Sequence, residues 1–569
     1  MAALFTTPRR NDTTAGTHVA EPDVRRRIGL AHGSWRRVTR RIVAGAVCAL
    51  TVSSLLKPSV SLAAEWVKVG GNKYNTAASD EAGTWSWDGA DDLKLNNYNG
   101  GEIQAAGKLN VNYSGTNIVT AEWIESIKVS HGTNENAELN IQGDEGGTLS
   151  VTSTEDAILS TGNINIDGAG SVNATSTGFD AINAGGDLAI KGSGNVNATG
   201  ASDGIRANGN ITIDDSGAVT ARATKDKGIG ADKNLTIKGG GTVEASSEKD
   251  AAVEAKGSLA VTNASLDASG VEYGVYAYKG VTLDHATVMV RTSANGGQAI
   301  ALITDGDDIV IKNGSTVDAF AEGEVSAAFS TRNDRPNEKG GHIYISDSVV
   351  KAIARYVENG DGPIPYSENQ DGETRREPQG ENIGIIAQTS EGVTPAVISI
   401  IRSKVTAEGD TAAIFARAMS ADGKTIGTIK IENAAIQTPE GGKVIDYRKL
   451  RDGIYEAGQA IGTGDATVDS LCIKAVAKST TIAPPEVAKP EDPKPDETKP
   501  AESKPAESKQ NPKPEGSKPT KAVAASTTKA KTTGVLAATG DTSGAAIVAT
   551  VLAGTAAIAA GTMASRKRS

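Results

Sequence analysis

The 569-residue chain has 65 Gly, 4 % aromatic residues and 38 % hydrophobic residues, the last mostly Ala, Val, Ile and Leu. That composition excludes a large core of Phe and Trp and suits many short strands stacked on small side chains. Its 58 basic and 69 acidic residues (net −11), five His and two distant Cys exclude a zinc-finger or disulfide framework and a basic nucleic-acid binder.

The chain opens with nine Arg within residues 1–41, then a 15-residue apolar stretch from Ile42 to Leu56, then Ser61-Leu62-Ala63. A basic region, an apolar region and small residues at −3 and −1 predict a secretory signal over 1–63, cleaved after Ala63. The apolar stretch is short for a bilayer span of about 20 residues. Cys48 lies inside it, so cleavage leaves Cys472 as the one thiol and no disulfide can staple the exported protein.

Residues 64–125 hold the four remaining Trp: Trp66, Trp85, Trp87 and Trp123. Trp85 and Trp87 are two apart and share a face on a strand. They are candidate sugar-stacking rings, or they form the hydrophobic lid over the first coil of the repeat that follows.

From residue 126 to 478 the sequence repeats. A first marker, apolar-x-apolar, recurs at Leu139, Ile164, Leu188, Ile211, Leu235, Leu259 and Val281, in steps of 22–25 residues. A second marker follows at Leu149, Val172, Val196, Val219, Val243, Leu266 and Val288, and a third at Ile158, Ile182, Ile205, Ile229, Val253, Val275 and Ile300. Three short period-2 segments per unit, punctuated by Gly, Asn, Asp and Ser, read as strands rather than helices. Each triplet wraps once and stacks on the next copy, which predicts an all-β, parallel β-helix of about 11–12 coils. A coil this long exceeds the left-handed hexapeptide type, so the expected form is right-handed and pectate-lyase-like. The pattern continues through Ile309, Ile343, Ile398 and Ile429, with insertions at 331–341 and 356–382. Insertions lie on one side of a solenoid, as ligand loops or simply as mobile ones.

Stacking turns equivalent residues into ladders about 4.8 Å apart. Asn163, Asp187, Asn210, Asn234 and Ser258 precede the first marker, and their side chains are expected to bond along the axis as a structural stack. Asp156, Asp180, Asp203, Asp226 and Asp250 precede the third. Stacked carboxylates repel unless a cation or hydrogen-bond donors intervene. The five Asp are therefore either candidate calcium ligands or acceptors for turn amides. Tyr273, Tyr276 and Tyr278 interrupt one coil. Of these, Tyr276 and Tyr278 are a second candidate sugar platform beside the plain alternative of packing on the solenoid wall.

Catalysis has little local support. A lyase needs calcium carboxylates beside a basic proton acceptor, and Lys and Arg do not recur beside the Asp positions. His131, His285 and His342 are 154 and 57 residues apart, and no Gly-rich phosphate loop opens a helix.

Residues 479–535 are a Pro/Lys/Glu linker, expected to be a disordered, polyproline-rich stalk. At roughly 3.1 Å per residue, its forty most Pro-rich residues reach on the order of 100 Å. There follow Leu536-Ala537-Ala538-Thr539-Gly540, the uncharged run Ala545–Ala564 and the tail Arg566-Lys567-Arg568-Ser569. The run has the length of a transmembrane helix, within the 541–569 segment, and the tail fits the positive-inside rule.

Pentapeptide, apolar run and basic tail together resemble the sorting signal of sortase-anchored Gram-positive surface proteins, with Ala537 where the common form has Pro. The resemblance implies that a sortase cysteine attacks the Thr539 carbonyl, releases Gly540 onward and joins Thr539 to peptidoglycan. The membrane would then be met only through the C-terminal helix, before sorting. Without 1–63 and 541–569 the chain keeps 45 basic and 65 acidic residues, a charge of −20 that opposes nucleic acid and anionic membranes.

The coils from Thr148 to Ala268 resemble carbohydrate-binding β-helix modules of Gram-positive surface proteins. The resemblance rests on Ser202-Asp203-Gly204-Ile205, Asn210-Ile211-Thr212-Ile213 and Asn234-Leu235-Thr236-Ile237-Lys238-Gly239-Gly240. It implies binding of plant-type polysaccharide with calcium in the coil turns. The expectation is a non-catalytic, wall-anchored protein that binds polysaccharide. A host-ligand adhesin and a polysaccharide lyase are the alternatives on the same scaffold.

Overall fold

The structure, a computed structural model, describes residues 63–485 apart from 133–136, 295–296, 334–340, 358–366, 369–373, 376–380, 391–392, 452–453 and 465–475. The expected leader up to residue 62, most of both insertions, the linker from 486, the Leu536–Gly540 pentapeptide and the apolar run lie outside the described residues. No described residue is helical, and among these residues no helix is long and apolar enough to cross a membrane.

Three long sheets of 15, 14 and 16 strands, beside a two-stranded pair of Ser367–Glu368 with Thr374–Arg375, make up the fold among the described residues, and each long sheet gathers one of the three sequence markers. In the 15-stranded sheet Leu139, Ile164, Leu188, Ile211, Leu235, Leu259, Val281 and Ile309 are successive partners in parallel register. The 14-stranded sheet aligns Leu149, Val172, Val196, Val219, Val243, Leu266 and Val288. The 16-stranded sheet aligns Ile158, Ile182, Ile205, Ile229, Val253 and Val275. The chain passes from sheet to sheet and returns one strand further on, which is a parallel β-helix.

The register follows from the burial pattern. Alternate side chains point inward, so a slip of one residue would expose a whole apolar row. Ile164, Ile182, Ile205, Ile211 and Ile229 are fully buried, each worth about 1.5–3 kcal/mol relative to exposure.

Three boundaries differ from expectation. Ile300 is not in the inner row: it pairs with Tyr273, and Leu302 pairs with Val275. Gly274 and Ala301 break the alternation there, and the outward side chains Tyr276, Ile300, Ile303, Ile386 and Phe415 join a second apolar cluster outside the core. Parallel pairing begins before residue 126, where Asp92–Asn96 meets Lys108–Ser114. Finally, Ser479–Ala483 is a strand, antiparallel to Lys404–Gly409, with Ile482 fully buried, so the linker starts beyond it.

Both ends abandon parallel pairing. Trp66–Val69 lies antiparallel to Ile103–Ala106, and Ile454–Gly462 lies antiparallel to Ala412–Ser420. Reversing direction ends the 16-stranded stack at both edges, where another chain could otherwise extend the parallel ladder.

Candidate functional site

The two ladders have one construction. Before the first marker, Oδ1 of Asn163 accepts the Asp187 amide (2.9 Å), Asp187 the Asn210 amide (2.7 Å), Asn210 the Asn234 amide (3.3 Å) and Asn234 the Ser258 amide (3.0 Å). Side chains also bond along the axis, as when Asn210 Nδ2 donates to Asp187 Oδ1 at 3.1 Å. Before the third marker, Asp156 accepts the Asp180 amide (2.9 Å), Asp180 the Asp203 amide (2.9 Å) and Asp203 the Lys227 amide (2.7 Å).

The third-marker ladder is the buried one. Asp203 is 1 % exposed and Asp180 7 %. Their second oxygens are also engaged: Asn183 Nδ2 bridges Asp156 Oδ2 (3.1 Å) and Asp180 Oδ2 (2.9 Å), and Arg206 approaches Asp203 Oδ2 at 3.3 Å. Burial raises the pKa of all three carboxyls. For Asp203 burial and then the Asp180 charge push it up to about 6.

Asp226 and Asp250 leave this row, because the ladder position is taken by Lys227 in the Asp226 coil and by Ala251 in the next. The Lys227 ammonium lies 3.1 Å from Asp226, 3.3 Å from Asp250 and 3.9 Å from Glu254. Burial opposes that charge, but Glu254 and Asp250 outweigh it and hold the lysine above its ordinary pKa. The expected calcium set therefore divides into an amide-bonded row and a pair neutralised by the protein's own cation. Among the described residues the only group of three potential ligands with all donor atoms within 4.8 Å of one another is Asp88, Asp91 and Asp92. The five ladder carboxylates do not fit calcium, whose shell needs six to eight converging oxygens. Asp88 accepts the Ala90 amide at 2.8 Å and the Asp92 amide at 3.2 Å, the pattern of an ordinary turn.

On the outer face of the 16-stranded sheet, register partners form a strip along the axis: Leu159, Asn183, Arg206, Gly230, Glu254 and Tyr276. Gly230 leaves a notch, where an added Cβ would meet Asp203 Oδ2 at 3.4 Å and the Lys227 Cδ at 3.8 Å. Arg206 also faces Asp232 at 3.8 Å. The sequence reading found the Asp and Tyr positions but missed Asn183, Arg206 and Glu254, and it saw no recurring cation beside the Asp. The signal was the residue directly after each third marker, which the fold turns into one row.

At the end of the strip the tyrosines stack on one another. Tyr276 lies 4.4 Å from Tyr278 with near-parallel rings and 5.0 Å from Tyr273. Tyr276 is 8 % exposed and has a neighbour on either side, so of the expected pair only Tyr278 keeps a ring for a ligand. Trp85 and Trp87 are buried in the core at 7 % and 2 % exposure, with Trp85 against Tyr74 at 5.1 Å. They form the lid and offer no ring to a sugar.

No family model, curated protein or solved structure matches this chain.

Proposed function

We propose that the chain is an exported surface protein of a Gram-positive bacterium, joined by a sortase to peptidoglycan at Thr539, whose β-helix binds polysaccharide without transforming it. The observation that carries this reading is the strip Asn183–Arg206–Gly230–Glu254, with Tyr278 stacked on the Tyr276 ring that follows Glu254. It offers donors, acceptors and a ring at a fixed rise of about 4.8 Å, a rigid comb suited to an extended polymer. We take the coil to be right-handed, the hand of nearly all parallel crossovers.

The same geometry favours binding over chemistry. A lyase base must be able to take a proton near neutrality, whereas the Lys227 and Arg206 pKa values are both raised, the carboxylates around them outweighing burial. The oxygens of Asp156, Asp180 and Asp203 are committed to amides and side chains.

Two measurements test the reading. Full-length protein is expected to be retarded in gels containing polysaccharide and to generate no unsaturated-product absorbance from polygalacturonate. Product formation would make it a lyase. Loss of every polysaccharide interaction, with retention on host protein, would make it an adhesin. In cells, Thr539→Ala should move the protein from the wall fraction to membrane and medium. An unchanged wall fraction would overturn anchoring at Thr539.

A further inference from the structure

The turns that lead from the 14-stranded to the 16-stranded sheet border the strip, and two of them carry large exposed rings. Trp123 is 79 % exposed and Phe179 is 52 % exposed. Trp123 lies between the strands Thr116–Ala121 and Ile127–Ser130, and Phe179 between Ser171–Ser176 and Ile182–Ala184. Their coils are separated by one other, so the two turns stand two strand spacings apart, about 9.6 Å along the axis.

Neither ring is on a loose loop. Ser153 Oγ donates to the Ile124 carbonyl at 2.7 Å and accepts the Glu155 amide at 2.9 Å. One coil on, Ser176 Oγ donates to the Glu155 carbonyl at 2.5 Å and accepts the Phe179 amide at 2.9 Å. The Trp123 amide donates to Thr154 Oγ1 at 2.9 Å. Trp123 has φ +69°, a left-handed conformation that a bulky residue rarely holds and that concentrates at functional positions. A strained backbone that exposes the largest apolar side chain, on a turn clamped by buried hydroxyls, has no packing rationale among the described residues.

We infer that Trp123 and Phe179 are the stacking platforms for an uncharged polysaccharide laid along this edge of the solenoid. The inference rests on the polysaccharide-binding reading above and specifies its ligand. Aromatic faces receive the axial C–H faces of pyranose rings, and two strand spacings approximate the advance of two residues of an extended chain, so the rings meet alternate sugars. The edge chooses the polymer's charge. Glu122, Glu125 and Glu155 line the same turns at exposed or half-exposed positions, and the nearby Lys128 is paired with Glu125 at 2.8 Å. Such an edge repels a polyuronate and offers acceptors to hydroxyl groups.

The test is affinity electrophoresis of full-length protein in hydroxyethyl cellulose, xyloglucan, galactomannan and polygalacturonate. Wild type should be retarded by at least one of the three uncharged polymers and not by polygalacturonate. Trp123→Ala and Phe179→Ala should each weaken that binding at least tenfold, and Trp123→Tyr should keep most of it. Trp123→Gly should lose binding while its melting temperature holds or rises, since glycine accepts the positive φ. Undiminished binding by the Trp123→Ala/Phe179→Ala double variant would overturn the platforms and leave polysaccharide binding standing. Retardation by polygalacturonate alone would overturn the ligand class, and retardation by none of the four would remove both readings.

Discussion

The two turn ladders use one hydrogen bond to different ends. Asn163, Asp187, Asn210 and Asn234 lie at a solvent-facing corner, where water shares the work of satisfying each amide. Asp156, Asp180 and Asp203 make the same bond from carboxylates that burial has stripped of water, so each oxygen needs a protein partner. Asn183, Arg206 and Lys227 supply those partners, and they also give the neighbouring face its chemistry. An identical local motif is thus inert at one corner and polarised at the other, and burial is the difference.

That contrast can be broken at several points. The inner row beneath the buried ladder should matter most: Ile205→Ala is expected to cost about 2–5 kcal/mol, read as the denaturant midpoint. Asp180→Ala orphans the Asp203 amide and should cost about 1–3 kcal/mol. Asp180→Asn, which keeps an acceptor and removes a buried charge, should stay near wild type or exceed it. If both variants lose equally, the carboxylate is needed for its charge and the ladder account is wrong.

The Asp203 carboxyl, pushed up to about 6 from an ordinary 3.8, gives a pH test. A raised carboxyl contributes stability that is full below about 3.8 and lost as pH rises through about 6. The melting temperature should therefore climb between pH 7 and pH 5, and Asp203→Asn should flatten that climb. At the exposed corner Asn210→Ala should cost at most about 1 kcal/mol. Smallest of all, exchanging calcium for a chelator should leave the melting temperature unchanged. A calcium-dependent rise abolished by Asp203→Ala would reinstate a metal site at the buried ladder.

Much of the fold was legible because strand period and repeat length act together. Each marker residue from Leu139 to Val281 found its partner in the expected sheet, since one misregistered coil would bury polar groups and expose Ile. The reading failed at Ile300, where Gly274 and Ala301 shift the alternation, a change with no local signature. It left Trp85 and Trp87 between a sugar platform and the lid, because apolar residues two apart on a strand share a face, whichever way that face points, and burial decided for the lid. It grouped Asp226 with Asp203 by nearness to a marker, while the backbone gave the ladder position to Lys227.

The amino-acid order alone set the coil length, the three strands per coil and the two acceptor ladders, because these depend on side-chain size, alternation and turn chemistry within some two dozen residues. The tertiary structure decided which ladder was buried, which cation neutralised Asp226 and Asp250, and that Trp123 and Phe179 share an exposed edge. Those outcomes depend on contacts between coils and on access to water, which residues distant in the chain determine jointly.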